Sequence, residues 1–226
     1  GRMGGGSVFL GADAPGGGFS AVVWSGSNVV PAGDLAAMDL FIPALSRRGR
    51  RCTSMVGRAD LVMHLWDQLE MRWGPARDIR DDQPCLVTRS APLVEGDPRV
   101  RRATPADYSM LLPAAVAMFT EEVGYDPTRS GSGYATYVQG LAASGRSYIL
   151  TDRLAGEDRV IFKADIGSLW DGIAQIQGVW THPALRGQGL ATAGMAAVVE
   201  QIRRDVAPVV SLYVNSYNEV ARRVYQ

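Results

Sequence analysis

The stretch HPALRGQGLATAGMAAVVE, residues 182–200, limits the possible folds more than any other. It follows the strand-like IAQIQGVW, opens as a turn and ends as a helix. The first turn of a helix carries unpaired N–H groups and a partial positive charge, and both favour an anion. Gly187 and Gly189 have no Cβ, so the backbone there admits a close ligand. Arg186 adds a charge suited to phosphate, and Ala191, Ala193 and Gly194 keep the helix start slim. The segment is not a Walker loop, since no GK[ST] follows, and it is not the dinucleotide fingerprint GxGxxG. Its local chemistry suits a pyrophosphate. It also fits a glycine turn that only starts a helix.

The surrounding pattern sets the fold class. From residue 99 the chain reads as the strand RVRRAT, then a helix over TPADYSMLLPAAVAMFTEE. Thr104 is its N-cap, Pro105 its first residue, Asp107 lies in its first turn, and Pro113 is expected to kink it. The loop GYDPTRSGSG, a lid or a plain surface loop, leads to the helix YATYVQGLAASG. Three strands follow, SYILTD, RVIFKADIGSLW and IAQIQGVWTHP, the last two joined by the hairpin signal LWDG. After the 182–200 segment come the strand PVVSLYVNS and the helix YNEVARRVYQ. This order predicts an α/β or α+β fold, a sheet with helices on both faces.

The first half has its own rhythm. Residues 1–20 are glycine-rich, either a flexible tail or, from SVFLGA onward, a strand closed by a GGG turn. FSAVVWSGSNVVP reads as strand, turn and strand; DLAAMDLFIPALSRRG as a helix capped by Asp34 and broken at Pro43; RCTSMVG as a strand. In ADLVMHLWDQLEMRWG, Leu61, Leu65, Leu69 and Trp73 recur at helical spacing before Gly74. ARDIRDDQPCLVTRS closes this half as an extended segment, and the two prolines, glycine and acids of APLVEGDP read as a linker. The expected division is therefore 1–90, a linker at 91–98, and 99–226.

Lysine plus arginine and aspartate plus glutamate each number 23, so the net charge of zero gives no bulk attraction for nucleic acid or an anionic membrane. No apolar run approaches the length of a membrane span. Cys52 and Cys85 stand apart as small hydrophobes, and with only His64 and His182 besides, no metal site is expected. The cytoplasm is the expected compartment. The chain opens at Gly1 and ends at Gln226 in what reads as mid-helix, so a trimmed or partly ordered chain is expected.

Arg186-x-x-Gly189-x-Ala191 resembles the acyl-CoA-binding signature of the GNAT N-acetyltransferase superfamily. GVWTHPAL resembles the strand and approach before it, and Asn218, Ala221 and Tyr225 resemble the Nxx(A)xxxY pattern of a later helix. The resemblance implies the GNAT fold, a mixed, mostly antiparallel sheet flanked by helices. It implies acetyl-CoA as cofactor, with phosphates on the amides of Arg186, Gly187, Gln188, Gly189, Leu190 and Ala191 and the pantetheine arm along Gln177, Gly178, Val179, Trp180 and Thr181. A bulge at Gly178 would open the slot, and the N–H of Val179 or Trp180 would polarise the thioester. Tyr225 would be the general acid, or a helix-face aromatic packed on the sheet. Asn218 would orient the cofactor or cap its helix, with Asn215 a weaker candidate. Glu121 or Glu122 would be the base, or both form a solvated acidic pair. Asp165 is another candidate base, with Lys163 beside it as a structural or acceptor-site charge or half of a salt bridge. The implied reaction is direct attack by a primary amine, of a small molecule or a peptide, with no covalent enzyme intermediate. The sequence leaves the oligomeric state open.

Residues 1–90 repeat the order of elements found over 173–226, with NVVPAGD in place of the pyrophosphate loop. This predicts a degenerate copy of the same fold, incomplete at its start. GGG, WSGSNVVP, RGRRC, LWDQLEMRWGPARDIR, AMFTEEVG, FKADIG and LYVN resemble actinobacterial GNAT proteins with an N-terminal domain of unknown function. The final hairpin of that family, after Tyr225, has no counterpart here. Two rival readings share these features: an acyl-CoA-sensing module without turnover, and a tandem transferase like mycothiol synthase.

Overall fold

The computed structural model describes residues 6–225; the glycine-rich start at 1–5 lies outside the described residues. The chain divides into two compact units between Asp82 and Gln83.

In the first unit, β1 (Val8–Asp13), β2 (Phe19–Ser25) and β3 (Asn28–Gly33) form an antiparallel meander. A 3-10 turn (Leu35–Phe41) and helix α1 (Ile42–Arg48) then carry the chain over to β4 (Ser54–Met55), which pairs parallel to β3. Helix α2 (Ala59–Trp73) follows and buries Leu61, Leu65, Leu69 and Trp73 along one stripe, as their spacing predicts. These side chains meet Val23 and Val29 of the sheet and Met38, Phe41 and Leu45 from the crossover. The helix expected from Asp34 is thus divided. Asp34 makes no side-chain cap, and Pro43 sits in the first turn of α1 and starts that helix instead of breaking one.

The second unit holds a sheet of order β5-β10-β9-β8-β7-β6. Its strands are β5 (Cys85–Thr88), β6 (Arg101–Arg102), β7 (Ser147–Leu154), β8 (Glu157–Trp170), β9 (Ile173–Thr181) and β10 (Val209–Tyr213). Every neighbouring pair is antiparallel except β9 and β10, which run parallel. Helix α5 (Leu190–Asp205) makes the crossover between those two, and α6 (Glu219–Tyr225) follows β10. Helices α3 (Tyr108–Val123) and α4 (Gly133–Ala143) lie between β6 and β7 in the chain. Residues Val160–Ile166 of β8 are all buried, because this central strand is covered on both faces. Phe162, Ala164 and Ile166 meet Met195, Val198 and Ile202 of α5 on one side. On the other, Leu111, Ala114 and Ala115 of α3 and Val138 of α4 pack with Ile149 and Trp180.

Two readings of the sequence are corrected here. The extended segment ending near residue 90 supplies β5, and β5 pairs with β10 in the second unit's sheet, with Leu86 opposite Leu212. The linker-like 91–98 stretch is packed structure. The N–H of Asp97 donates to the Ala193 carbonyl at 3.0 Å, and a Cβ on Gly96 would lie 2.7 Å from Ala197 Cα. Proline and glycine mark irregular backbone in both linkers and packed turns, so composition does not separate the two. Helix α3 runs on through Pro113.

Candidate active site

The site begins where two strands part. β9 and β10 are paired only from Ile173/Val209 to Ile176/Leu212. Beyond Ile176, Gln177–Thr181 keep β8 on one side and no strand on the other. The pairing with β8 also slips there, since Lys163 faces Trp180 while Asp165 faces Gln177, so Gly178 and Val179 together oppose Ala164. That is a β-bulge. Gly178 adopts φ +60°, a left-handed conformation that favours glycine. A Cβ there would also lie 2.9 Å from Asp165 Oδ2 and 3.2 Å from Lys163 Nζ.

Backbone direction alternates along a strand. The N–H of His182 donates to the Ile161 carbonyl, toward β8, so Trp180 also faces β8. Thr181 then faces the open edge, and its carbonyl is indeed taken by Arg186 Nε at 3.0 Å from that side. Of the two amides considered from sequence, that of Trp180 is thus turned toward β8, while Val179 lies in the bulge itself.

The chain leaves β9 through a 3-10 turn (Pro183–Leu185), at which His182 Nδ1 accepts from the Ala184 N–H. It then reaches Arg186, Gly187, Gln188 and Gly189, all exposed. Gly187 and Gly189 have φ of +76° and +78°, and Gly189 is the N-cap of α5. A Cβ on either would touch nothing, so the backbone here is bare. Leu190 anchors the first turn by packing on the core, beside Ala191. Exposed amides, a helix dipole and open space are what an anionic group requires.

Arg186 is not directed into this cradle. Its Nη2 donates to Glu121 Oε2 at 2.6 Å, and Glu121 Oε1 accepts from Trp180 Nε1 at 3.1 Å. Glu121 is thus held by two donors and fixes the loop to α3. Glu122, the next residue, is exposed, and its charge reaches both Tyr134 and Tyr225. Burial, with the Glu122 charge added, pushes the Tyr225 phenol up to about 12. Tyr225 is half-buried, packs against the core, and lines an apolar cavity of about 500 Å³ with Met195, Val210 and Leu212. Asn218 Oδ1 accepts from the Ala221 N–H at 3.1 Å, which is a helix cap. Asn215 Oδ1 accepts from Gln83 Nε2 at 2.5 Å.

Beneath the bulge, Lys163 Nζ donates to Asp165 Oδ2 at 2.5 Å and to the Gly178 carbonyl at 2.9 Å, and Ser147 Oγ donates to Asp165 Oδ1 at 2.6 Å. Tyr134 and Tyr137 of α4 stand by the same group. Burial raises both phenols, and the Asp165 charge is the next largest cause. Tyr137 OH accepts from Gln177 Nε2 at 2.6 Å, and Phe119 and Tyr125 continue the aromatic wall. Sequence reasoning missed Ser147, Tyr134 and Tyr137. The signal for Ser147 was its register opposite Asp165; for the tyrosines it was their three-residue spacing on one helix face. Among the described residues no cluster of three His, Cys, Asp or Glu side chains is placed to hold a metal, and no helix is long and apolar enough to cross a membrane.

Residues 118–226 match the acetyltransferase (GNAT) family. The second unit has the GNAT fold. Residues 8–111 match a domain of unknown function, DUF4081. Solved structures similar to this chain include a protein assigned to the GNAT family from Novosphingobium aromaticivorans, at 22% identity and TM-score 0.42, covering 63% of this chain and 56% of that one. A ribosomal-protein-alanine N-acetyltransferase from Brucella melitensis aligns at 15% identity and TM-score 0.40, over 56% of this chain and 86% of its own. A protein from Clostridium acetobutylicum described as a predicted acetyltransferase, crystallised with acetyl-CoA, aligns at 16% identity and TM-score 0.42, over 56% and 84%. This chain thus spans little more than half of the Novosphingobium protein. No curated protein matches it in sequence.

Proposed function

We propose that the chain is an acetyl-CoA-dependent N-acetyltransferase acting on a primary amine of a small molecule or a peptide. The observation that carries this reading is the parting of β9 from β10, which leaves the Gln177–Thr181 edge unpaired and leads straight to the bare amides before α5. The edge suits the amide-bearing pantetheine arm, and the 187–191 amides suit the pyrophosphate. Acetyl-CoA, when bound, supplies an acyl group activated as a thioester. The chain's own groups do the rest. In this reading the Val179 N–H, at the bulge, is the donor that polarises the carbonyl oxygen. Tyr225 keeps its proton throughout the working pH range and serves as acid to the departing thiolate. Glu122 takes the amine's proton: its charge reaches Tyr225, which supports a base and an acid sharing one site. The aromatic wall of Phe119, Tyr134 and Tyr137 borders the acceptor side. A cytoplasmic location belongs to this reading and agrees with the free thiols of Cys52 and Cys85.

The first unit we read as a degenerate copy. Its antiparallel β1-β2-β3, parallel crossover to β4 and following α2 repeat the order β7-β8-β9, β10 and α6. At the matching turn, Asp34 stands where an anion would need a bare amide.

Calorimetry with acetyl-CoA, followed by CoA release across a panel of amines and peptides, tests the function. Glu122→Gln and Tyr225→Phe are each expected to lower kcat by about a hundredfold or more, with Glu121→Gln much milder. No binding at millimolar acetyl-CoA refutes the reading. Binding without release from any acceptor makes the chain an acyl-CoA sensor.

A further inference from the structure

Lys163 is the only lysine in the chain; every other one of its 23 basic side chains is an arginine. It is also fully buried, on the central strand of the sheet. An ammonium group taken out of water is costly unless paired and hydrogen-bonded. Asp165 supplies the pairing, and Ser147, itself fully buried, supplies the next hydrogen bond to that carboxylate. An ion pair needs no further member, yet Lys163 Nζ also donates to the Gly178 carbonyl at 2.9 Å.

That contact has a geometric consequence. The Gly178 carbonyl and the Val179 N–H belong to one peptide unit, which is planar and trans, so the two groups point in opposite directions. Holding the carbonyl on Lys163 turns the N–H of Val179 away from that side chain. The same contact has an electronic consequence. A cation on the carbonyl end polarises the peptide unit, and hydrogen bonds in a chain strengthen one another in a low-dielectric interior.

We infer that Lys163, Asp165 and Ser147 are positioning residues of the transfer site: a buried charged clamp that fixes the bulge peptide and strengthens its outward N–H as a donor to the acyl oxygen. The clamp acts through the 178–179 peptide and touches no ligand. It differs from the acid and base assigned above, and it rests on the acetyl-CoA reading for its purpose.

The test uses the full chain and acetyl-CoA labelled with 13C at the acetyl carbonyl. In the wild type the bound carbonyl resonance moves downfield of free acetyl-CoA, as expected for a polarised carbonyl. Lys163→Met keeps the CoA dissociation constant within about threefold but loses most of that downfield shift. Its kcat falls by about a hundredfold, the scale of a lost oxyanion donor. Ser147→Ala removes only the outer hydrogen bond and shows a smaller change in the same direction; it decides the matter should Lys163→Met not fold. The Val179 amide proton resonance, read without ligand, moves upfield in both variants. A folded variant with the bound carbonyl and the Val179 amide unchanged overturns the clamp. So does a loss of CoA affinity that matches the loss of shift, which marks a merely structural role. A wild type that binds no acetyl-CoA overturns the cofactor reading instead, and the ligand-free Val179 resonance still tells whether the clamp orders that peptide.

Discussion

Arg186 bears the one positive charge in the glycine loop, and both ends of its guanidinium are engaged within the protein, on Thr181 O and Glu121. Gly189 carries the loop's conformation, with φ +78° at the N-cap of α5. Arg186→Ala is therefore expected to weaken acetyl-CoA binding about threefold, through a looser loop, whereas Gly189→Val costs about tenfold or more. A β-branched residue in the left-handed region is strained by about 1–2 kcal/mol, and each 1.4 kcal/mol is a factor of ten. Calorimetry on the two variants checks the ranking; the reverse order refutes it. The glycines and the arginine were legible as an anion site because that signature is local. The partner of Arg186 was not, since Glu121 is 65 residues away and reaches it only through the packing of α3 on the sheet.

At the start of α3, element and residue meet in Asp107. Its carboxylate takes two hydrogen bonds from Arg101, at 2.8 and 2.6 Å, and two from Thr104, both at 2.8 Å. The Arg101 guanidinium, helped by the Thr104 donors, holds the carboxyl far below the usual range although burial acts against it. A lowered folded-state value stabilises the protein above the unfolded carboxylate pKa of about 3.9 and ceases to do so as the pH falls through the folded value. Asp107→Asn is expected to cost about 2 kcal/mol at pH 7, and the gap to wild type should narrow below about pH 4; urea unfolding at several pH values reads it. A gap independent of pH contradicts this account. This cap was readable in the sequence, and so was the Asp171-Gly172 hairpin between β8 and β9, because both are made by neighbours in the chain. Strand β5 was assigned to the wrong half for the opposite reason. CLVT is too short to show which sheet it serves, and its pairing with β10 spans more than a hundred residues.

For the whole molecule, the place of β5 sets where the second unit starts. Gln83 bonds Asn215, β5 covers β10, Arg203 donates to the Arg89 carbonyl, and Asp97 binds Ala193. Residues 83–226 are expected to melt cooperatively, and 99–226, cut where composition suggested, at a clearly lower temperature; equal melting temperatures argue against a structural role for β5. The separation of β9 from β10 has a different consequence, in time and not in space. A sheet gains protection when each amide finds a partner, and here the edge at 177–181 has been left one strand short. Acetyl-CoA would then act as a temporary strand. Hydrogen exchange at Val179 should slow on its binding, as though the sheet had grown at that edge, and quicken again on release.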